Sequence, residues 1–118
     1  MIGIRGATTI QNDVEEEIIA GTKELLQKTI SANKLDINQI TAIIFTCTKD
    51  ITSAYPAKAA RELEIVNSAL MCMQEMYVEN SLMMCIRICI FYNSDNFTEN
   101  IQHIYLRKAI ILRPDLLK

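Results

Sequence analysis

Residues 82–91 read LMMCIRICIF, an apolar and sulfur-rich run with one arginine, Arg87, inside it. A guanidinium keeps its proton in any protein, and sequestering it costs several kcal/mol unless an anion meets it with good geometry. In an ideal strand Arg87 shares a face with Met83, Cys85, Cys89 and Phe91, while Ile86, Ile88 and Ile90 take the other. Two readings stay open: an ion pair with Glu75 or another internal carboxylate, or a cation facing a ligand cleft walled by sulfur and aromatic groups.

Glu75 poses the mirrored question, because it closes the apolar stretch LMCMQEM just before a turn. Cys72 and Glu75 are three apart, so a regular strand points them to opposite faces. For both to line one pocket, the strand must bulge or end between them. Arg5 is bracketed by glycines at 3 and 6, where the backbone can approach a ligand closely. Tyr105 alternates with His103 and Arg107, a spacing equally suited to a solvated face. Lys58 and Arg61 fall three apart on a short helix and share a side, and Arg113 adds a cation near the tail.

This collection suggests a site for a small dianion rather than hydrolysis. A Ser-His-Asp set would have to use the only histidine, His103; no carboxylate dyad and no glycine-rich phosphate loop stand out. The four cysteines, Cys47, Cys72, Cys85 and Cys89, form no C-x-x-C pair. In a strand, Cys85 and Cys89 would sit about 13 Å apart, too far to share a zinc ion. Free thiols and no metal are therefore expected.

The elements that must hold these residues follow from periodicity. IGIRGATTI at 2–10 reads as a strand. NDVEEEIIAGTKELLQKTISANK is the one long helix, with Asp13 as N-cap and Glu16 completing a capping box. Its apolar stripe is Ile18, Thr22, Leu25 and Thr29, flanked by Ile19, Leu26 and Ile30; Gly21 marks close packing. ITAIIFTCT is a buried β-branched strand, KDITS a loop, and YPAKAARELE a short helix with Pro56 in its first turn. Strand-like segments follow at 66–76, 82–92 and 103–112, linked by VEN and by NSDNFTEN. The expected fold class is α/β, a five-stranded mixed sheet with one long and one short helix, in one domain spanning residues 1–118.

A single long helix covers only part of one sheet face, yet several strands are apolar on both. The surplus apolar surface predicts a symmetric homo-oligomer. Twelve Lys and Arg against 14 Asp and Glu, for a net charge of −2, give no electrostatic footprint for nucleic acid. The apolar runs fall well short of the roughly 20 residues of a membrane span. MIGIRGATTI lacks the features of a signal peptide, so a cytoplasmic location is expected.

Five motifs, in order along nearly the whole chain, carry a resemblance: GIRGATT, YPAKAARE, CMQEM with CIR, HIYL and LRPDL. Together they resemble the monofunctional chorismate mutases of the AroH class. The resemblance implies a homotrimer whose sheets form a pseudo-barrel with active sites at the subunit interfaces, and rearrangement of chorismate to prephenate without cofactor or metal. It implies that Arg87 lies beside the ether oxygen of the breaking bond. Glu75 and the preceding stretch of Met71, Cys72, Met73 and Gln74 would hold the ring hydroxyl. Arg5 and Tyr105 would bind the side-chain carboxylate. Tyr55, Ala57, Lys58 and Arg61 would come from the neighbouring subunit, with Leu112 and Arg113 bordering the pocket. Tyr55 stands where relatives often carry Phe, and Met71 replaces a small hydroxyl residue. Two other classes share such an architecture: a trimer that binds chorismate or prephenate without turnover, and an enamine/imine deaminase.

Overall fold

The computed structural model describes residues 1–94 and 100–116, with residue 116 by its backbone alone. Strand β1 (Ile2–Thr9) leads to helix α1 (Glu15–Asn33), and a 3₁₀ turn (Ile37–Gln39) precedes β2 (Ile40–Cys47). Helix α2 (Ala57–Glu62), β3 (Ala69–Gln74), β4 (Cys85–Tyr92) and the two-residue β5 (Ile104–Tyr105) follow. The polar link expected at 93–100 falls partly outside the described residues, at 95–99.

The five strands make one mixed sheet in the order β3-β2-β4-β1-β5. Strand β4 runs antiparallel to both central neighbours, β1 and β2, while the outer pairs β2/β3 and β1/β5 are parallel. Alternation along β4 is clear: Ile86, Ile88, Ile90 and Tyr92 are buried, whereas Arg87, Cys89 and Phe91 are half-buried. The buried side faces the helices, where Ile4, Leu25, Leu26, Phe45, Ala57, Ala60, Ile88 and Ile90 form the main core.

Helix α1 buries the predicted stripe of Ile18, Ile19, Thr22, Leu25, Leu26 and Thr29, with Ile30 only half-buried. Its two core threonines turn their hydroxyls back onto the helix, Thr22 to the Ile18 carbonyl and Thr29 to the Leu25 carbonyl, each at 2.7 Å. Both are thereby satisfied within an apolar surrounding. A Cβ on Gly21 would meet Ile10 at 3.2 Å, so this glycine does mark close packing. A Cβ on Gly6 would lie 2.9 Å from the Ile104 carbonyl and 3.1 Å from Leu25, whereas one on Gly3 meets nothing within 4 Å. Gly6 therefore serves the approach of β5 and α1, not the approach of a ligand to Arg5.

Four local expectations are corrected. Asp13 does not cap α1: Val14 holds the N-cap position without a side-chain bond. The Asp13 carboxylate instead accepts from the Thr52 and Ser53 amides, both at 3.0 Å, and from the Thr52 hydroxyl at 2.8 Å. The capping carboxylate is Glu17, which accepts from the Gln11 and Asn12 amides at 3.1 and 3.0 Å. The strand expected over 103–112 pairs only through Ile104 and Tyr105, after which residues Arg107–Leu112 turn into a 3₁₀ helix. Arg107 stands at φ 54, a left-handed conformation that ends a strand, and its guanidinium pairs with Glu24 of α1 at 3.0 Å. The strand expected over 66–76 is Ala69–Gln74, and that expected over 82–92 begins at Cys85. Among the described residues no helix is long and apolar enough to cross a membrane.

Candidate active site

One row of paired residues crosses all five strands on the side away from the helices. Met73 of β3 is opposite Thr46 of β2, Thr46 opposite Arg87 of β4, Arg87 opposite Ala7 of β1, and Ala7 opposite Tyr105 of β5. Residues opposed in register share a face. The adjoining row carries Met71, Ile44, Cys89 and Arg5. Toward β3 and along the Arg5 row this face is open, with Arg5 exposed, Met71 58 % exposed and Met73 45 %, whereas Ala7 is fully buried against Ala109 and Leu112.

Glu75 joins the row from the end of β3. The strand stops at Gln74, and the Glu75 amide donates to the Cys47 carbonyl at 2.8 Å. Two residues on from Met73, Glu75 falls on the Thr46 and Arg87 side of the sheet by strand alternation, and this bond carries the pairing one residue past the strand end. Its Oε1 accepts from the Thr46 hydroxyl at 2.6 Å and lies 3.4 Å from Arg87 Nε. Both readings of Arg87 thus have a share in the structure. The carboxylate is a neighbour, but no hydrogen bond joins the pair, and Nε is buried without a hydrogen-bond partner. The Arg87 side chain as a whole is 43 % exposed. Only its inner nitrogen is sequestered, so the guanidinium is less buried than its apolar flanks suggested.

At the other end of the row, Tyr105 and Leu112 pack beside Ala7, Cys85 and Ala109. The Arg5 amide donates to His103 Nδ1 at 3.0 Å, which fixes His103 as an acceptor at that nitrogen. Burial, then the cationic neighbours Arg5 and Arg113, push the His103 pKa below its ordinary value. Arg113 forks onto Asp115 with Nε–Oδ1 at 3.0 Å and Nη2–Oδ2 at 2.9 Å. This pairing holds the Asp115 carboxyl below the usual carboxylate range.

The remaining predicted residues gather on the opposite side of the sheet. A cavity of about 520 Å³ there is lined by Tyr55, Lys58 and Arg61 of the α2 region together with Cys47, Cys72, Met73 and Gln74. Asp13 shapes its rim by holding the loop at Thr52 and Ser53. Lys58 pairs with Glu15 at 3.0 Å, and Tyr55 is 73 % exposed. Ala57 does not face the cavity; it is buried in the main core. Cys72 pairs in register with the buried Phe45, on the helix side. It is thus separated from Glu75 by the thickness of the sheet, the outcome that their spacing foretold. Burial pushes the thiol of Cys47 up to about 12 and that of Cys85 to about 11, so neither is a nucleophile near neutrality. Met73, on the edge strand, belongs to the row and borders the cavity as well.

Thr46 and Asp50 did not stand out from the sequence. Asp50 accepts from the Met84 amide through both oxygens, at 3.2 and 3.0 Å, and from the Thr48 hydroxyl at 2.6 Å. Thr48 in turn accepts from the Cys85 amide at 3.0 Å, which anchors the start of β4 two residues before Arg87. Their signal lies in register and loop geometry, which a single sequence does not display.

Residues 1–116 match the family model described as chorismate mutase type I. The chain is 43 % identical over 115 residues to a protein of Thermus thermophilus named chorismate mutase AroH, covering 97 % of this chain and 94 % of that one. A protein of the same name from Bacillus subtilis (strain 168) is also 43 % identical, with 97 % and 91 % covered. The solved structure of a chorismate mutase from Clostridium thermocellum superposes with a TM-score of 0.91 at 42 % identity, over 94 % of this chain and 99 % of the other.

Proposed function

Because the chain belongs to the chorismate mutase type I family, we propose that its open sheet face and its cavity are two halves of one active site, joined between subunits. The activity is the isomerisation of chorismate to prephenate. Within one chain the two groups of polar residues point away from each other across the sheet. A homotrimer that brings the cavity of one subunit against the Arg87 face of the next unites them. The exposed Met71, Met73, Met76, Tyr77 and Val78 form apolar surface along the shared rim, which such an assembly would cover. In this reading residues 1–118 act as one domain, in the cytoplasm, on the route to phenylalanine and tyrosine.

The rearrangement is concerted, with C–O cleavage ahead of C–C formation, and no proton need move. Negative charge grows on the ether oxygen as that bond stretches. Arg87 is the cation set at this oxygen, where it stabilises the transition state more than the ground state. Its planar fork serves a substrate carboxylate as well, which a lysine cannot do. Glu75 holds the ring hydroxyl. Arg5 and Tyr105, at the far end of the same face, bind the side-chain carboxylate, with Leu112 and Arg113 as the border. Lys58 and Arg61 of the neighbouring subunit add positive charge at the mouth, with Tyr55, Cys72 and Gln74 as wall. Together they hold a flexible dianion in the compact geometry that the reaction requires. No cofactor enters this chemistry.

The observation that carries this reading is the row that aligns Arg87 and Tyr105 on one open face with Glu75 beside them. Incubation of the purified protein with chorismate tests it. Loss of chorismate with matching appearance of prephenate is expected. Binding without turnover would leave a non-catalytic trimer, and indifference to chorismate with hydrolysis of a small enamine would leave a deaminase.

A further inference from the structure

We propose that Thr46 is a positioning residue: it fixes the Glu75 carboxylate and keeps it from closing onto Arg87. The inference rests on the roles given above to those two residues. An arginine and a carboxylate free to approach each other settle into two parallel hydrogen bonds of roughly 2.7–2.9 Å. Here the pair stands 3.4 Å apart, and Arg87 Nε has no hydrogen-bond partner. The oxygen nearest to Nε, Oε1, is already held by the Thr46 hydroxyl at 2.6 Å.

Three features make Thr46 suited to this task. It is in register with Arg87 on one side and with Met73, two residues before Glu75, on the other. It is half-buried, in a central strand, so its position is set by the sheet and not by a mobile loop. The Glu75 backbone is fixed separately, by the hydrogen bond that its N–H donates to the Cys47 carbonyl. Among the described residues Oε2 of Glu75 takes no hydrogen bond, which leaves it open toward the site. Thr46 thereby determines which oxygen remains for a substrate hydroxyl, and it preserves the charge of Arg87 for the ether oxygen.

The test is steady-state kinetics on Thr46→Val, which keeps the shape and removes the donor, and on Thr46→Ser, which keeps the donor. A charge-assisted bond of this kind predicts a loss of kcat/KM of at least about tenfold in Thr46→Val. Thr46→Ser should stay within about threefold of wild type, and in a Glu75→Ala background, which has no oxygen for Thr46 to hold, the Thr46→Val change should shrink to under about threefold. The inference is overturned if Thr46→Val matches wild type, if Thr46→Ser is as poor as Thr46→Val, or if Thr46→Val loses as much activity in the Glu75→Ala background. A different result, Arg87→Ala and Glu75→Gln both turning over chorismate at the wild-type rate, would sink the site reading itself.

Discussion

Truncating Arg87 should remove activity without removing the fold. The side chain is 43 % exposed and its inner nitrogen makes no hydrogen bond, so Arg87→Ala gives up only the 3.4 Å pairing with Glu75 and the interaction with the Cys85 thiol. The Glu75 carboxylate left behind keeps its 2.6 Å bond from Thr46. The unfolding free energy should therefore change by no more than about 1 kcal/mol. Catalysis is a different matter, since a preorganised donor at an oxygen that gains charge typically contributes about 3–4 kcal/mol, or 10²–10³ in kcat. Arg87→Lys keeps the charge and loses the fork, so it too should be slower, by about tenfold or more. Chorismate loss followed by absorbance gives the first quantity and urea unfolding the second, with sedimentation to confirm unchanged assembly. Near-normal turnover by Arg87→Ala would refute the reasoning. So would activity lost only in proportion to folded protein.

Three further outcomes follow from the same structure. Asp50→Ala should lower stability by about 2 kcal/mol, because it strands the amide of Met84, a residue at φ 53; a urea midpoint equal to wild type would contradict this, and Asp50→Asn should lose less. Because burial and the charges of Arg5 and Arg113 hold His103 neutral, with its pKa below the ordinary 6.5, its contribution to stability is complete above about pH 6.5. That contribution is lost as the pH falls through the lowered value, so the stability gap between wild type and His103→Gln should narrow from pH 7.5 to pH 5, and a constant gap would be the wrong result. Cys47 and Cys85, with pKa values pushed up to about 12 and about 11, should resist iodoacetamide in the native protein at pH 7.5 and react only on unfolding; labelling at the rate of free cysteine would contradict the assigned burial.

Much of the fold was legible because local and global signals agreed. The stripe from Ile18 to Thr29 and the β-branched run of β2 each had one physical solution, an amphipathic helix and a central strand. Asp13 misled because its side chain found donors across the molecule, in Thr52 and Ser53, stronger than any cap its own helix offered. The alternation of His103, Tyr105 and Arg107 looked like a strand, but Arg107 stands in the left-handed region and the chain leaves the sheet after Tyr105 into a 3₁₀ helix. The polar residues that broke the apolar pattern, Arg87 and Glu75, were visible as anomalies. Thr46 was not, since a threonine in a β-branched strand looks ordinary until the register sets it between them. The division of the proposed site between two faces was foreshadowed by the three-residue spacing of Cys72 and Glu75 and by the resemblance, which implied that the α2 residues come from a neighbouring subunit.

The composite site can be tested by mixing two damaged chains. Arg87→Ala removes the sheet-face half, and a Lys58→Ala/Arg61→Ala double variant removes the cavity half. Each should be nearly inactive alone. After joint unfolding and refolding at equal amounts, roughly a quarter of interfaces in a cyclic trimer would pair two intact halves. Turnover should return to about that fraction of wild type. A mixture no more active than its parts would mean that each chain carries its whole site, and the proposed assembly would be wrong.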